Sequence, residues 1–278
     1  MRILCVIVAS LCVTNSALAA LVIDIDYTGP SQYQSAFINA ASTWESLLVG
    51  YQDGLVQLAS TNSSYEFGQT VSTVFVSANS AVDDGVGGVL GSAGPVGFAL
   101  DQSGFWLATD SQMNFDSDDI DILFINGTLD NLILHELGHS LGFGTLWQLN
   151  GVLNAGGDEF IGTNATVAWQ SEFGQTGTPD VETEGGPGTA GGHWNENLDG
   201  SGLTGITDSL GRDMRDELMT GWLNPNSFIS ELTLASFRDI GFTTANATAV
   251  PEPGTGGVLT AGLVAAMGWR RRRSRAVK

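Results

Sequence analysis

The sequence predicts a mixed α/β fold, and three observations carry that reading. Residues 21–27 (LVIDIDY) alternate apolar and polar side chains, the period of a half-buried strand. Residues 32–49 place Tyr33, Phe37, Ala41, Trp44 and Leu48 at helical spacing, an amphipathic helix of about five turns whose aromatic stripe is core. Residues 134–143 read LHELGHSLGF, a second helix in which Leu134, Leu137 and Leu141 form a buried face and Gly142 can supply a left-handed end.

The first twenty residues are set apart from this unit. Arg2, an apolar run over 3–13 and Ala17-Leu18-Ala19 have the order of a secretory signal with its cleavage site. As an uncleaved anchor the run is short beside the ~20 residues of a comfortable span. Cys12 lacks the small residue before it that a lipoprotein signal wants. Cys5 and Cys12 both lie here, so the mature chain has neither a disulfide nor a thiol ligand. The body, residues 21–249, carries Arg212, Arg215 and Arg238 as its only Lys or Arg, against 29 of the 30 acids. Such an acidic surface disfavours nucleic acid and anionic lipid as partners.

The remaining elements follow in chain order. Residues 55–59 and 71–77 read as strands pairing beside the first. The run 85–94 (GVGGVLGSAG) lacks the spacing of a phosphate-cradling motif and is expected to be a mobile loop. Residues 98–108 are apolar and aromatic and suit an edge strand. Residues 116–124 lead into a turn at Asn126-Gly127, after which Thr128 offers an N-cap for the helix holding LHELGHSLGF. Beyond it, 144–192 is rich in Gly, Thr and Asn, with one short helix expected near 165–170, and ends in GGPGTAGGHW.

Chemistry concentrates on the second helix. His135 and His139 stand one turn apart on one face, so both imidazoles can reach a single metal ion at about 2.0–2.1 Å. Glu136 follows the first histidine and can hold a water without being a ligand. This is H-E-x-x-H, two zinc ligands and a general base. A catalytic zinc takes three protein ligands and one open position. His193 is the one histidine left in the chain, and the glycines before it allow a sharp turn that delivers an imidazole. Asp158, Glu159 or Glu172 could supply the third ligand instead. Asn195-Glu196-Asn197-Leu198-Asp199-Gly200 alternates oxygen-bearing side chains before a glycine, the opening of a Ca²⁺ loop. Ile206 stands where that loop needs its glutamate, and a loop of solvated acids fits better.

The chain resembles the leishmanolysin-type metzincins. His135 to Gly142 matches H-E-x-x-H-x-x-G, and the likeness continues through GGPGTAGGHW, DELMT at 216–220 and LTLASFRDIGF at 232–242. Thr145 stands where most metzincins carry their third histidine; leishmanolysin-type enzymes depart in the same way, with an insertion before that ligand. The resemblance spans roughly 21–242, with specific motifs from 134 onward. It implies a zincin/metzincin-like α/β (α+β) fold: a twisted mixed sheet with a backing helix and an active-site helix over 21–142, then a loop-rich subdomain over 143–249 with a Met-turn and a C-terminal helix. It also implies His193 as third zinc ligand, Met219 as the methionine beneath the metal, and a substrate-binding edge strand within 97–116. The disulfides of leishmanolysin itself are missing, and no cysteine is left for a latency switch.

Residues 250–278 form a second targeting segment. Val250-Pro251-Glu252-Pro253, a short apolar helix over 256–269 and a cluster of arginines follow in series. This order resembles the PEP-CTERM sorting signal of bacteria that use an exosortase. It implies transient membrane anchoring, removal of the tail and delivery to the cell surface or extracellular matrix; a plain tail anchor is the alternative. Two functional classes emerge. One is an exported zinc endopeptidase acting on protein or peptide substrates with Glu136 as base. The other is a surface structural protein that keeps zinc for stability, for which a base beside an open site has no use.

Overall fold

The computed structural model describes residues 20–196 and 202–245. The segment expected to direct export, most of the candidate Ca²⁺ loop and the expected C-terminal targeting segment lie outside the described residues. No helix among the described residues is long and apolar enough to cross a membrane.

A five-stranded mixed sheet and the helices packed on it make up the N-terminal half. β1 (Val22–Thr28) buries Ile23 and leaves Asp24 and Asp26 outward, as its alternation requires. A 3₁₀ turn (Ser31–Tyr33) leads into α1 (Gln34–Leu47), and the whole stripe Tyr33, Phe37, Ala41, Trp44 and Leu48 is buried. Phe37 stacks on Tyr27 with ring centroids 4.1 Å apart, which seats α1 against β1. β4 (Thr73–Ala81) pairs parallel with β1, and β6 (Trp106–Asp116) parallel with β4. β5 (Gly91–Asp101) is antiparallel to β6, and β3 (Val56–Ala59) antiparallel to β5, so the order is β1-β4-β6-β5-β3.

Three sequence expectations are corrected here. Residues 55–59 do not pair beside β1; β3 lies at the opposite edge. The buried Asp101 carboxylate holds it there, accepting Gly54 N–H at 3.1 Å and Phe105 N–H at 2.9 Å. Residues 98–108 are not one edge strand but the tip of the β5–β6 hairpin, turned at Gly104 with φ +91°, and β6 is central. The glycine-rich run is loop only up to Leu90, because from Gly91 its backbone is paired to β6.

A helix not anticipated follows β6. α2 (Ser117–Asn126) starts where Asp116 accepts Asp118 N–H at 2.8 Å and stops at Gly127, φ +73°. Directly after it comes α3 (Leu129–Ser140), the helix of H-E-x-x-H. Thr128 stands at its N-cap position but makes no side-chain cap: its N–H and its hydroxyl both donate to Leu123 O at the end of α2. Trp44 Nε1 donates to Leu134 O at 2.9 Å and pins α3 to α1, while Ser111 Oγ from β6 donates to Ser140 O at 2.7 Å.

The C-terminal half is loop-rich around two helices, α4 (Thr163–Glu172) and α5 (Glu231–Asp239). Each caps the other. Asp239 at the end of α5 accepts Asn164 N–H and Ala165 N–H, both at 2.9 Å. Glu172 at the end of α4 accepts Glu231 N–H at 3.1 Å and Leu232 N–H at 2.9 Å. Carboxylates thus sit at both helix N-termini, where unpaired N–H groups and the helix dipole favour negative charge. β7 (Phe242–Thr244) pairs antiparallel with β2 (Leu48–Tyr51) and ties the end of the body to the end of α1. Phe143, Trp147, Phe160, Trp194 and Phe237 interlock beneath the loops.

Candidate metal centre

α3 presents His135 and His139 on one face, and the chain then brings a third imidazole to them. Gly142 (φ +113°) turns it out of the helix, and Gly144 (φ +69°) touches Gly192 backbone to backbone. A Cβ on Gly144 would lie 2.3 Å from Gly192 O, so only glycine permits this approach. His193 follows, at the end of a loop with positive φ at Gly185, Gly186, Gly188 and Gly191. Trp194 bridges in parallel to Thr220, which fixes the strand-like piece carrying His193 beside the segment containing Met219.

The three Nε2 atoms converge. His135 and His193 are 3.1 Å apart, and His139 is 3.0 Å from each. Every Nδ1 faces a backbone carbonyl: His135 to Leu218 O at 2.7 Å, His139 to Phe143 O at 3.0 Å, His193 to Thr189 O at 2.8 Å. An Nδ1–H donating to a carbonyl leaves a lone pair on Nε2. Three lone pairs therefore point at one space with no proton to share, an arrangement that a cation fits. The spacing is close to the ~3.3 Å between nitrogens of a tetrahedral site with bonds of about 2.0–2.1 Å. Burial lowers the His135 pKa to about 3, helped by His193, and holds His139 and His193 below the usual range, so all three are neutral ligands at physiological pH.

Glu136 is buried beside the same space, its Cγ and Oε1 packed against the backbone of Gly91; a Cβ there would be 3.3 Å from each. Burial pushes its carboxyl up to about 8. Met219 lies fully buried under α3, with Gly138 directly above it. A Cβ on Gly138 would come within 2.9 Å of Met219 Sδ and Cε, so the second x of H-E-x-x-H has to be small here. Thr145 donates to His139 O at 3.0 Å, serving the helix end rather than a metal. The alternative third ligands are engaged elsewhere. Glu172 caps α5, Glu159 accepts from Thr178, and Asp158 accepts from Asn154. Among the described residues, His135, His139 and His193 form the one group of His, Cys, Asp or Glu placed to hold a metal.

A cleft of about 740 Å³ opens over these groups, bounded by the start of β5 on one side and by Thr189 and Trp222 on the other. Asp83, Glu182, Glu184 and Glu196 also line it, and no described lysine or arginine does. The free edge of β5 is shorter and earlier than the 97–116 stretch expected from sequence. Asp116 N–H donates to Leu90 O, so Leu90 faces β6 and the alternation turns Gly91, Ala93 and Pro95 outward. Beyond Pro95 the edge is covered. Asn62 Nδ2 donates to Val96 O, and Ser60 Oγ accepts Phe98 N–H while Ser60 N–H donates to Phe98 O. Sequence reasoning could not find the carbonyls of Leu218, Phe143 and Thr189, because any residue supplies one.

Comparison with known proteins places the chain in context. The profile of the leishmanolysin family matches residues 106–252, more than half of the sequence and all of α3, His193 and Met219. A PEP-CTERM protein-sorting motif, the mark of exported proteins sorted by an exosortase, matches residues 249–273. No curated protein matches the chain significantly.

Proposed function

The chain belongs to the leishmanolysin family and is a metalloendopeptidase; from that premise we propose that it is an exported zinc enzyme that cleaves peptide bonds with Glu136 as general base. The observation that carries this reading is the convergence of three neutral Nε2 atoms beside a buried carboxyl at the floor of an open cleft. His135, His139 and His193 would hold the metal. When bound, zinc supplies Lewis acidity, polarising a carbonyl and bringing the pKa of a coordinated water towards about 7.

The protein's own groups do the rest. Glu136 takes a proton from the water as its oxygen attacks the peptide carbonyl carbon, then delivers that proton to the departing amine nitrogen as the C–N bond breaks. An extended substrate can pair with β5 through the outward N–H groups of Gly91 and Ala93 and the outward C=O groups of Gly91, Ala93 and Pro95. The cleft is lined both by residues of the 83–139 stretch and by residues of the 145–223 stretch, which supports the expected division into a 21–142 and a 143–249 subdomain. The C-terminal motif supports export with exosortase processing, after which the peptidase would act at or beyond the cell surface.

The test is proteolysis of a denatured protein substrate by the exported chain, with and without a zinc chelator, beside Glu136→Ala. Chelator-sensitive cleavage that re-added zinc restores and Glu136→Ala lacks is the expected result. Cleavage indifferent to both would overturn the reading.

A further inference from the structure

Glu217 is a fully buried carboxylate outside the cleft, and no step of the proposed chemistry uses it. Its Oε2 accepts Met219 N–H at 2.6 Å. Its Oε1 accepts Ser230 N–H at 3.0 Å, Ser230 Oγ at 2.8 Å and Thr233 Oγ1 at 2.6 Å. Two of these partners are backbone amides, which only donate, so each oxygen is an acceptor.

The first of these bonds reaches the metal site. Met219 N–H and Leu218 C=O belong to one planar peptide group and point in opposite directions. Glu217 holds the N–H end, and the C=O end accepts His135 Nδ1–H at 2.7 Å. Carboxylate, peptide and imidazole thus form one line of hydrogen bonds ending at a ligand nitrogen. Hydrogen bonds in such a line polarise one another. Carboxylates that bond directly to metal-binding histidines fix the tautomer and raise ligand basicity; here a peptide group stands between. A second path runs to the third histidine. Trp194, next to His193, donates its N–H to Met219 O at 3.0 Å and its Nε1–H to Thr233 Oγ1 at 2.9 Å, and Thr233 donates its own O–H to Glu217 Oε1.

We propose that Glu217 is a positioning residue of the metal centre, acting through the Leu218–Met219 peptide on His135 and through Thr233 and Trp194 on the segment that carries His193. This rests on the zinc reading above. The carboxylate is also the anchor of α5, since Ser230 caps that helix by accepting Thr233 N–H at 3.1 Å, so the test must separate positioning from stability.

Glu217→Gln keeps the shape, but an amide must turn its NH₂ towards one of the donors that the carboxylate satisfied. Glu172→Gln is the control: it weakens the N-terminus of the same helix without touching the peptide behind His135. Both are made in the full chain and loaded with Co²⁺ in place of zinc, whose visible ligand-field bands report the geometry and donor strength of the imidazoles. Zinc affinity is measured by competition with a chelator. The expected result is a shifted cobalt spectrum and zinc binding weakened about 10–100-fold in Glu217→Gln, the range for an outer hydrogen-bond partner of a ligand, with both unchanged in Glu172→Gln. Thr233→Val removes one link of the second path and should shift the spectrum less; it decides the matter if Glu217→Gln does not fold. An unshifted spectrum in the folded variants, or equal shifts in Glu217→Gln and Glu172→Gln, overturns the proposal. A wild-type chain that binds neither metal overturns the zinc reading with it.

Discussion

Glu136→Gln in the metal-free protein should make the fold more stable, and the gain should depend on pH. Burial raises the Glu136 carboxyl from 4.5 to about 8, so the metal-free fold keeps it protonated at neutral pH while the unfolded chain ionises it. For a raised carboxyl, the stability present below about pH 4.5 is lost progressively as pH rises through 8, because the folded state binds the extra proton in that window. At about 1.36 kcal/mol per pH unit the full loss is about 5 kcal/mol, of which about 3 kcal/mol has accrued by pH 7. Glutamine is neutral at every pH and close in shape. The variant should therefore match the wild type near pH 4.5 and exceed it by about 3 kcal/mol at pH 7, on the order of 6–12 °C in Tm for a body of this size. The depressed histidines act in the other direction, losing stability as pH falls below 6.5. They are common to both proteins and cancel in the difference. The assay is thermal unfolding of chelator-treated protein from pH 4.5 to 8.5. A difference between variant and wild type that stays constant with pH would refute the claim that burial holds Glu136 neutral.

Three further outcomes follow from the same geometry. His193→Ala should lose zinc by more than the ~10–100-fold caused by removing an outer partner; retention of full affinity in a chelator competition would place the third ligand elsewhere. Pro95→Ala adds an outward N–H to the free edge of β5, so peptides reaching that far should gain about threefold to tenfold in kcat/KM, the effect of one ordinary hydrogen bond. Shorter peptides should be unaffected, and an equal gain for all lengths would argue against pairing at that edge. Intact-mass measurement of the exported protein should place its C-terminus near Pro251, whereas a chain ending at Lys278 in membrane fractions would favour a permanent tail anchor.

What the sequence determined by itself was local. The strand of β1, the aromatic stripe of α1 and the one-turn spacing of His135 and His139 are periodicities within a single element, and such patterns survive in the order of residues. His193 was legible as a candidate because few histidines exist to choose from. Pairing between distant segments was decided only by the tertiary structure. Alternation marks a strand but not its neighbour, and it is the buried Asp101, binding Gly54 and the hairpin together, that sets β3 at the edge away from β1. An apolar run does not show where it folds back, so the β5–β6 hairpin was read as one strand. α2 carries a legible signal, an Asp N-cap with acids in its first turn and Asn-Gly at its end, but Ile122, Phe124 and Ile125 stay exposed, so no one-sided apolar stripe marks it as a helix. The partners that orient the three imidazoles are main-chain carbonyls, present at every residue. The carboxylate that holds one of them in place, Glu217, looks in sequence like any other acid of an acidic chain. Only the fold buries it against two amides and two hydroxyls, and there its two oxygens accept from all four.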